Sequence, residues 1–271
     1  TQRILKRQGG PLLQAYLIIL DDIYDNALMR RGKPAWHLRE HVSVNLAIND
    51  SIFVYISLME TLKKTVGNRQ NYAAFIDEFN EALLYTSLGQ YLDVVTGEQN
   101  KDYSLFTMDR YDAIVKYKSA YYTYKLPITL GLLLANKMDE ETCLRVKNIS
   151  TDIGRLFQMQ DDYIDCFGDR MITGKLEGDI QAGKCSWLAV KALELCNPQQ
   201  RIVFTACYGS TEPAHIERIK QLYLQLKLPE HYRSEENTIY RNILKGIESI
   251  DCDIERKLYK RILDDTYKRI H

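Results

Sequence analysis

What this sequence lacks narrows it quickly. It has no surplus of either charge, with 36 Lys and Arg set against 36 Asp and Glu. A chain without a basic excess is not built as a general nucleic-acid or membrane-surface binder. Its six cysteines, at 143, 166, 185, 196, 207 and 252, form no CxxC pair. That excludes a zinc ribbon and argues against a disulfide frame, leaving reduced thiols and a cytoplasmic setting. No apolar run approaches the roughly 20 residues of a membrane span, so stable membrane insertion is not expected. The opening "TQRILKRQ" carries neither a signal-peptide pattern nor an initiating methionine. Further sequence N-terminal to it is expected, and a removed targeting peptide is left open.

Breakers are scarce too, with six prolines and fourteen glycines in 271 residues. Between them the apolar residues recur at three and four almost throughout, as in "NYAAFIDEFNEALLYTSLGQYLDVVTG" and "MDRYDAIVKYKSAYYTYKLPITLGLLLAN". That period is helical, and no set of alternating strands is apparent. With 45% hydrophobic residues the chain can bury a sizeable core. The pattern predicts one all-α domain, residues 1–271, of about ten helices. Two main loops are expected at "KPAWHLREHVSVN" and "GDRMITGKLEGDIQAGK".

Against this background acids cluster twice. "DDIYD" at 21–25 follows "PLLQAYLIIL", and "DDYID" at 161–165 follows "LFQMQ". Residues i and i+4 share a helix face, so Asp21 and Asp25 point one way with Asp22 beside them. Asp161, Asp165 and Asp169 make a second stripe, with Asp162 alongside. Adjacent like charges repel, and burying them uncompensated costs several kcal/mol each. Oxygen ligands without His or Cys suit a hard cation, Mg²⁺ above all, and Mg²⁺ shares its sphere with phosphate oxygens. Cations sit nearby in sequence: Arg30 and Arg31 after the first motif, Lys175 and Lys184 after the second, and Lys118 in "VKYKSAYYTYKLP". Taken singly, each acid motif reads as a solvated helix end and each cation as a surface charge. Two motifs, each after an apolar helix and each followed by basic residues, favour a metal–diphosphate site. His37 and the other four histidines show no ligand spacing.

The stretches "DDIYDNALMRRGKPAW", "KYKSAYYTYKLP" and "FQMQDDYIDCFGDRMITGKLEGDIQAGKCSWLAVKAL" closely resemble the farnesyl diphosphate synthases of animals. The resemblance runs in order from about residue 11 to the C-terminus. It implies an isoprenoid synthase fold, a helical bundle around a central cavity, assembled as a homodimer. It implies three Mg²⁺ ions on an allylic prenyl diphosphate at Asp21, Asp22, Asp25, Asp161 and Asp165, with Asp162 a further candidate ligand. Arg30, Lys118 and Lys175 match the grip on that diphosphate. Gln90 and Asp93, in "GQYLD", match the helix facing the first motif. Ser119, where a threonine is usual, and Gln158 are expected to face a carbocation beside Lys118. Phe157 and Tyr122 match the lining of a second-substrate pocket, and Gln14 and Arg31 match the site for its diphosphate. Tyr16 and Leu17 lie five and four residues before Asp21, about 6–7.5 Å deeper at 1.5 Å per residue. They are expected to floor a prenyl pocket sized for a fifteen-carbon tail.

The implied chemistry is ionisation of a C–O bond, with charge on the departing diphosphate stabilised by cations and the allylic cation kept from water. Several positions depart from the resemblance. Pro11 replaces an acid three residues before Gln14, and a GKxxR motif would lie N-terminal to this chain. Glu177, Gly178, Ala182 and Gly183 replace Gly-Thr and Asp-Asn, and Arg170 replaces a proline. The tail keeps Lys268 and Arg269 and then ends. The ionising half is complete and the acceptor half is eroded. The preferred expectation is a sesquiterpene synthase acting on farnesyl diphosphate alone. The alternative is a farnesyl diphosphate synthase that condenses dimethylallyl or geranyl diphosphate with isopentenyl diphosphate. A catalytically dead helical subunit is disfavoured, since such a protein has no need of self-repelling acid motifs.

Overall fold

The computed structural model describes residues 10–97, 102–168 and 178–267. The fold is all-α, and among the described residues twelve α-helices follow one another. The first, α1, spans Gly10–Tyr24, and its end runs into a two-stranded hairpin, Met29–Arg30 with Lys33–Pro34. Long helices follow: α2, Val44–Val66, and α3, Tyr72–Gly97. Next come α4, Met108–Ile114, a π-helical stretch, Val115–Lys125, and α5, Leu126–Leu134. The 28-residue α6, Glu140–Phe167, carries the second acid motif. Short α7, Asp179–Ala182, leads to α8, Trp187–Leu195, and α9, Pro198–Cys207. The chain closes with α10, Pro213–Gln225, α11, Leu228–Glu248, and α12, Asp253–Tyr267. No helix among the described residues is long and apolar enough to cross a membrane.

The expected loop at 33–45 is instead half structured. It holds the second hairpin strand and a 3₁₀ turn, Trp36–Leu38, before Ser43 caps α2 by accepting from the Leu46 amide at 3.2 Å. The hairpin escaped the sequence reading because its strands are two residues long, too short for any alternation to show. Elsewhere the stripes are those the period dictates. On α3 the buried positions are Phe75, Phe79, Ala82, Thr86, Gly89 and Thr96, spaced at three, four and seven.

The rod 108–134 is the centre of the fold, packed between α3 and α6. Two glycines set how closely. At Gly89 an added Cβ would lie 2.1 Å from the Lys118 backbone nitrogen and 2.6 Å from the Tyr117 carbonyl carbon. At Gly154 it would lie 2.4 Å from the Ala120 Cβ. The π-helical stretch is therefore held backbone to backbone on one side and methyl to backbone on the other. Pro127 sits just past its end, with no N–H to give to the helical ladder. Lys125 is buried there and reaches Glu78 at 2.8 Å and Glu81 at 2.7 Å, tying the stretch to α3 once more. Such widened helical turns are rare and concentrate at functional sites.

Gly89→Ala is expected to lower stability by the upper end of the roughly 1–3 kcal/mol typical of overpacking, because backbone rather than a mobile side chain blocks the methyl. Thermal unfolding by circular dichroism reads this; an unchanged midpoint would refute the close approach.

Candidate functional site

Both acid motifs, with residues from α1, α3, the 108–125 stretch, α6 and 178–186, line one cavity of about 860 Å³. The hairpin supplies its first cation. Arg31 and Gly32 form its two-residue turn, with φ of +54° and +72°. Two positive φ values are what a tight hairpin turn requires, and glycine takes one at no cost. Arg31 takes the other at some strain and stands exposed on the turn. Arg30, one residue earlier, turns inward. Its Nε donates to Asp22 Oδ1 at 2.8 Å, its Nη2 also reaches that oxygen, and Nη2 lies 3.4 Å from Asp21 Oδ2. Asp22 is thus a buried carboxylate neutralised by a guanidinium.

Lys118 leaves the π-helical stretch beside Gly89 and places Nζ 2.6 Å from Asp93 Oδ2 and 3.1 Å from Asp21 Oδ1. Asp93 lies one turn after Gly89, so the glycine contact and the ion pair share one crossing. From the other end of the cavity Lys184 reaches Asp25 Oδ2 at 2.5 Å. Burial alone would push the Asp21 carboxyl up, but Lys118, Lys184 and Arg30 outweigh it and hold its pKa below the usual carboxylate value. Burial likewise opposes the charge on Lys118 and Lys184, yet the facing aspartates raise both pKa values. Each lysine stays an ammonium at any physiological pH.

On α6, Asp161 and Asp165 face the same cavity. Asp165 Oδ2 accepts from the Asp179 amide at 2.7 Å. An added Cβ at Gly178 would stand 2.7 Å from that oxygen, so the missing side chain at 178 makes room for the contact. Asp162, expected beside them as a metal ligand, has a different setting. It is buried and its oxygens accept from Gln158 Nε2 at 2.9 Å and the Trp187 amide at 2.8 Å. Burial pushes its carboxyl up to about 7, against those two donors. Ser119 Oγ donates to Gln158 Oε1 at 2.9 Å.

Among the described residues no three His, Cys, Asp or Glu side chains converge closely enough to hold an ion. Any cation here takes further ligands from water or a bound anion, as Mg²⁺ ordinarily does. The donor set fits that ion: Asp21, Asp25, Asp161 and Asp165 bring only oxygen to the cavity, with no His or Cys ligand among them.

Beyond the charges, Tyr16 and Leu17 line the cavity below Asp21, and the Tyr16 ring lies 5.5 Å from that of Tyr55 on α2. Gln14, Gln90, Tyr122 and Phe157 line it too, with Gln90 Nε2 buried and unpartnered. Phe157 packs edge-on to Tyr124 at 5.9 Å. Lys175, together with Asp169, Arg170, Glu177, Lys268 and Arg269, falls outside the described residues. The structure adds Tyr111, Thr86 and Cys185 to the lining, none of which stood out in sequence. Thr86 was findable, one helical turn before Gln90 on the same face. Tyr111 and Cys185 gave no signal, because only folding brings their segments to the cavity.

A family model described as polyprenyl synthetase matches residues 10–226. A farnesyl pyrophosphate synthase of Murgantia histrionica is 35% identical over 95% of this chain, and the chain spans 63% of that protein's length. For farnesyl pyrophosphate synthase 1 of Lupinus albus the identity is 40% over 95% of the chain, which spans 75% of the relative. Among solved structures, T. brucei farnesyl diphosphate synthase complexed with a bisphosphonate superposes with a TM-score of 0.92 at 31% identity. The match covers 99% of this chain and 98% of that one. The same T. brucei enzyme complexed with risedronate gives 0.89 at 31% identity, over 96% and 77% of the two chains.

Removing Arg30 leaves Asp22, whose side chain is 2% exposed, without its counter-charge. Arg30→Ala is expected to destabilise by about 2 kcal/mol, below the roughly 3–5 of a fully buried pair because the guanidinium is partly solvated. Denaturant unfolding in metal-free buffer measures this; a loss within error of zero would mean Asp22 is satisfied by other means.

Proposed function

The chain belongs to the polyprenyl synthetase family, and from that membership we propose a prenyl diphosphate synthase. It would ionise an allylic prenyl diphosphate and join the resulting cation to isopentenyl diphosphate, with farnesyl diphosphate as product. The observation that carries this reading is the convergence of two aspartate motifs and three cations, Arg30, Lys118 and Lys184, on one cavity with an apolar floor. Asp21, Asp25, Asp161 and Asp165 would hold Mg²⁺, three ions in the proposed complement. When bound, Mg²⁺ supplies positive charge that stabilises the diphosphate as a leaving group.

The protein's own groups do the rest. Lys118 and Lys184, paired with aspartates in this structure, would take diphosphate oxygens as further partners, and Arg30 offers a planar fork. Ser119 and Gln158 present lone pairs to the carbon that loses the diphosphate. Tyr16 and Leu17 exclude water and stop chain growth by bulk. Phe157 and Tyr122 line the place for the second substrate, and Arg31 on the hairpin turn, with Gln14, takes its diphosphate. Two buried carboxylates stand apart: Asp22 is the anchor of Arg30, and Asp162 acts through Gln158.

Homodimer assembly is part of the proposal. Phe53 on α2, at 71% exposed, and Leu84 and Tyr91 on α3, at 60% and 65%, are large apolar side chains that a second copy would cover. Sedimentation velocity is expected to give a dimer in dilute buffer; a monomer at all concentrations would remove this element.

A sesquiterpene synthase, the expectation formed from sequence, finds no support among the relatives named above. One observation still favours it: Pro11, exposed in the first turn of α1, offers no carboxylate beside Gln14. The deciding experiment supplies Mg²⁺ with farnesyl diphosphate in one tube and geranyl plus isopentenyl diphosphates in another. Before phosphatase treatment neither tube is expected to yield a hydrocarbon or terpene alcohol by gas chromatography–mass spectrometry; after it, the first should yield only the farnesol of its own substrate, and the second newly made farnesol. Asp161→Ala or chelation of Mg²⁺ should stop it, and Arg31→Ala should raise the KM for isopentenyl diphosphate. A hydrocarbon or terpene alcohol from the first tube, with Arg31→Ala harmless, would establish the cyclising or eliminating enzyme instead.

A further inference from the structure

Asp162 belongs to the second acid motif yet does not spend its charge on the cavity. It is 4% exposed, and both oxygens are engaged. Oδ2 accepts from the Trp187 backbone N–H, at the first turn of α8, and Oδ1 accepts from Gln158 Nε2. A carboxylate that is ionised can only accept hydrogen bonds. The Gln158 atom turned toward it is the NH₂, which leaves the carbonyl oxygen to face Ser119. That oxygen accepts from the Ser119 hydroxyl at 2.9 Å, so the hydroxyl proton is committed and its lone pairs are left over. Ser119 and Gln158 both line the cavity. Direction passes along the chain from the α8 amide, a fixed donor, through the Asp162 carboxylate to Gln158 and Ser119.

We propose that Asp162 is a positioning residue that locks the Gln158 amide in one of its two orientations, so that Gln158 and Ser119 turn their negative ends toward the reacting carbon. The role rests on the prenyl-transfer reading given above. Reversed, the amide would turn an N–H donor toward Ser119 and free the hydroxyl proton to point inward. Positive ends would then meet a developing cation in a site of low dielectric, where the mismatch is costly. Burying a carboxylate one residue from the acid that faces the metal site is expensive. Fixing the direction of a neutral array is a return that a neutral side chain at 162 does not provide.

The test is a pair of substitutions. In Asp162→Asn the Trp187 amide retains the side-chain oxygen, so an NH₂ faces Gln158 and turns its amide over. In mildly alkaline buffer, kcat with geranyl and isopentenyl diphosphates is expected to fall on the order of tenfold or more. The KM for the allylic substrate should hold within about twofold, since only the reacting centre is affected. Adding Gln158→Glu to Asp162→Asn restores an acceptor toward both neighbours and should recover most of the lost kcat. The same Gln158→Glu in the otherwise unchanged protein sets two carboxylates together and should lower activity. A double variant no better than Asp162→Asn overturns the proposal. Selective ¹⁵N-glutamine labelling reads the orientation without any turnover. Nuclear Overhauser contacts from the Gln158 NH₂ to the Ser119 β protons should be weak in the wild type and appear in Asp162→Asn. Identical contacts in both overturn the proposal. A wild type without prenyl transfer, but with that switch of contacts, overturns the prenyl-transfer reading and upholds the orienting role.

Discussion

Everything at the cavity depends on how closely the π-helical stretch Val115–Lys125 approaches the helices on either side of it. Backbone-to-backbone contact at Gly89 sets its distance from α3, and the methyl of Ala120 against Gly154 sets its distance from α6. A packed interior transmits such constraints because it has little free volume to absorb them. The result is that Lys118, Ser119 and Tyr122 arrive at the cavity from a wall flanked by the two helices that carry Asp93 and the second acid motif. Lys125, at the other end of the same stretch, is held to α3 by Glu78 and Glu81.

That frame lets charges coexist that would otherwise expel one another. Asp21, Asp22 and Asp25 cannot all stay ionised next to a low-dielectric cavity without counter-charges. Each receives a cation from a different part of the chain: Arg30 from a hairpin, Lys118 from the central rod, Lys184 from the segment after α7. The same cations suit a bound diphosphate. On the proposed function, such a site would change partners rather than create charge as a diphosphate and Mg²⁺ entered, which lowers the cost of burying either.

The two halves of the acid machinery are not equivalent. On α1 the interior carboxylate, Asp22, holds an arginine. On α6 the interior carboxylate, Asp162, holds a glutamine and the start of α8. In both, the second aspartate of the adjacent pair turns inward and orients a neighbour, while the first and last of the motif face the cavity. Successive residues on a helix lie about 100° apart, so the two adjacent acids of each motif meet different sets of neighbours.

Helical periodicity and the two DDxxD motifs were enough to read an all-α chain whose acid motifs gather at one site, because both signals are local. A stripe repeating every three or four residues, and two acids at i and i+4, keep their meaning whatever surrounds them. Asp21, Asp25, Asp161 and Asp165 were placed on one cavity in this way, as were Tyr16 and Leu17 below the first motif. The inward turn of Asp22 and Asp162, the hairpin that separates Arg30 from Arg31, and the arrival of Tyr111 and Cys185 at the lining were decided only by the tertiary structure. Partners in hydrogen bonds and ion pairs lie up to 159 residues apart, as Asp25 and Lys184 do. No spacing rule reaches that far, because a contact between distant segments is set by how whole helices pack and not by the residues next to it in the chain.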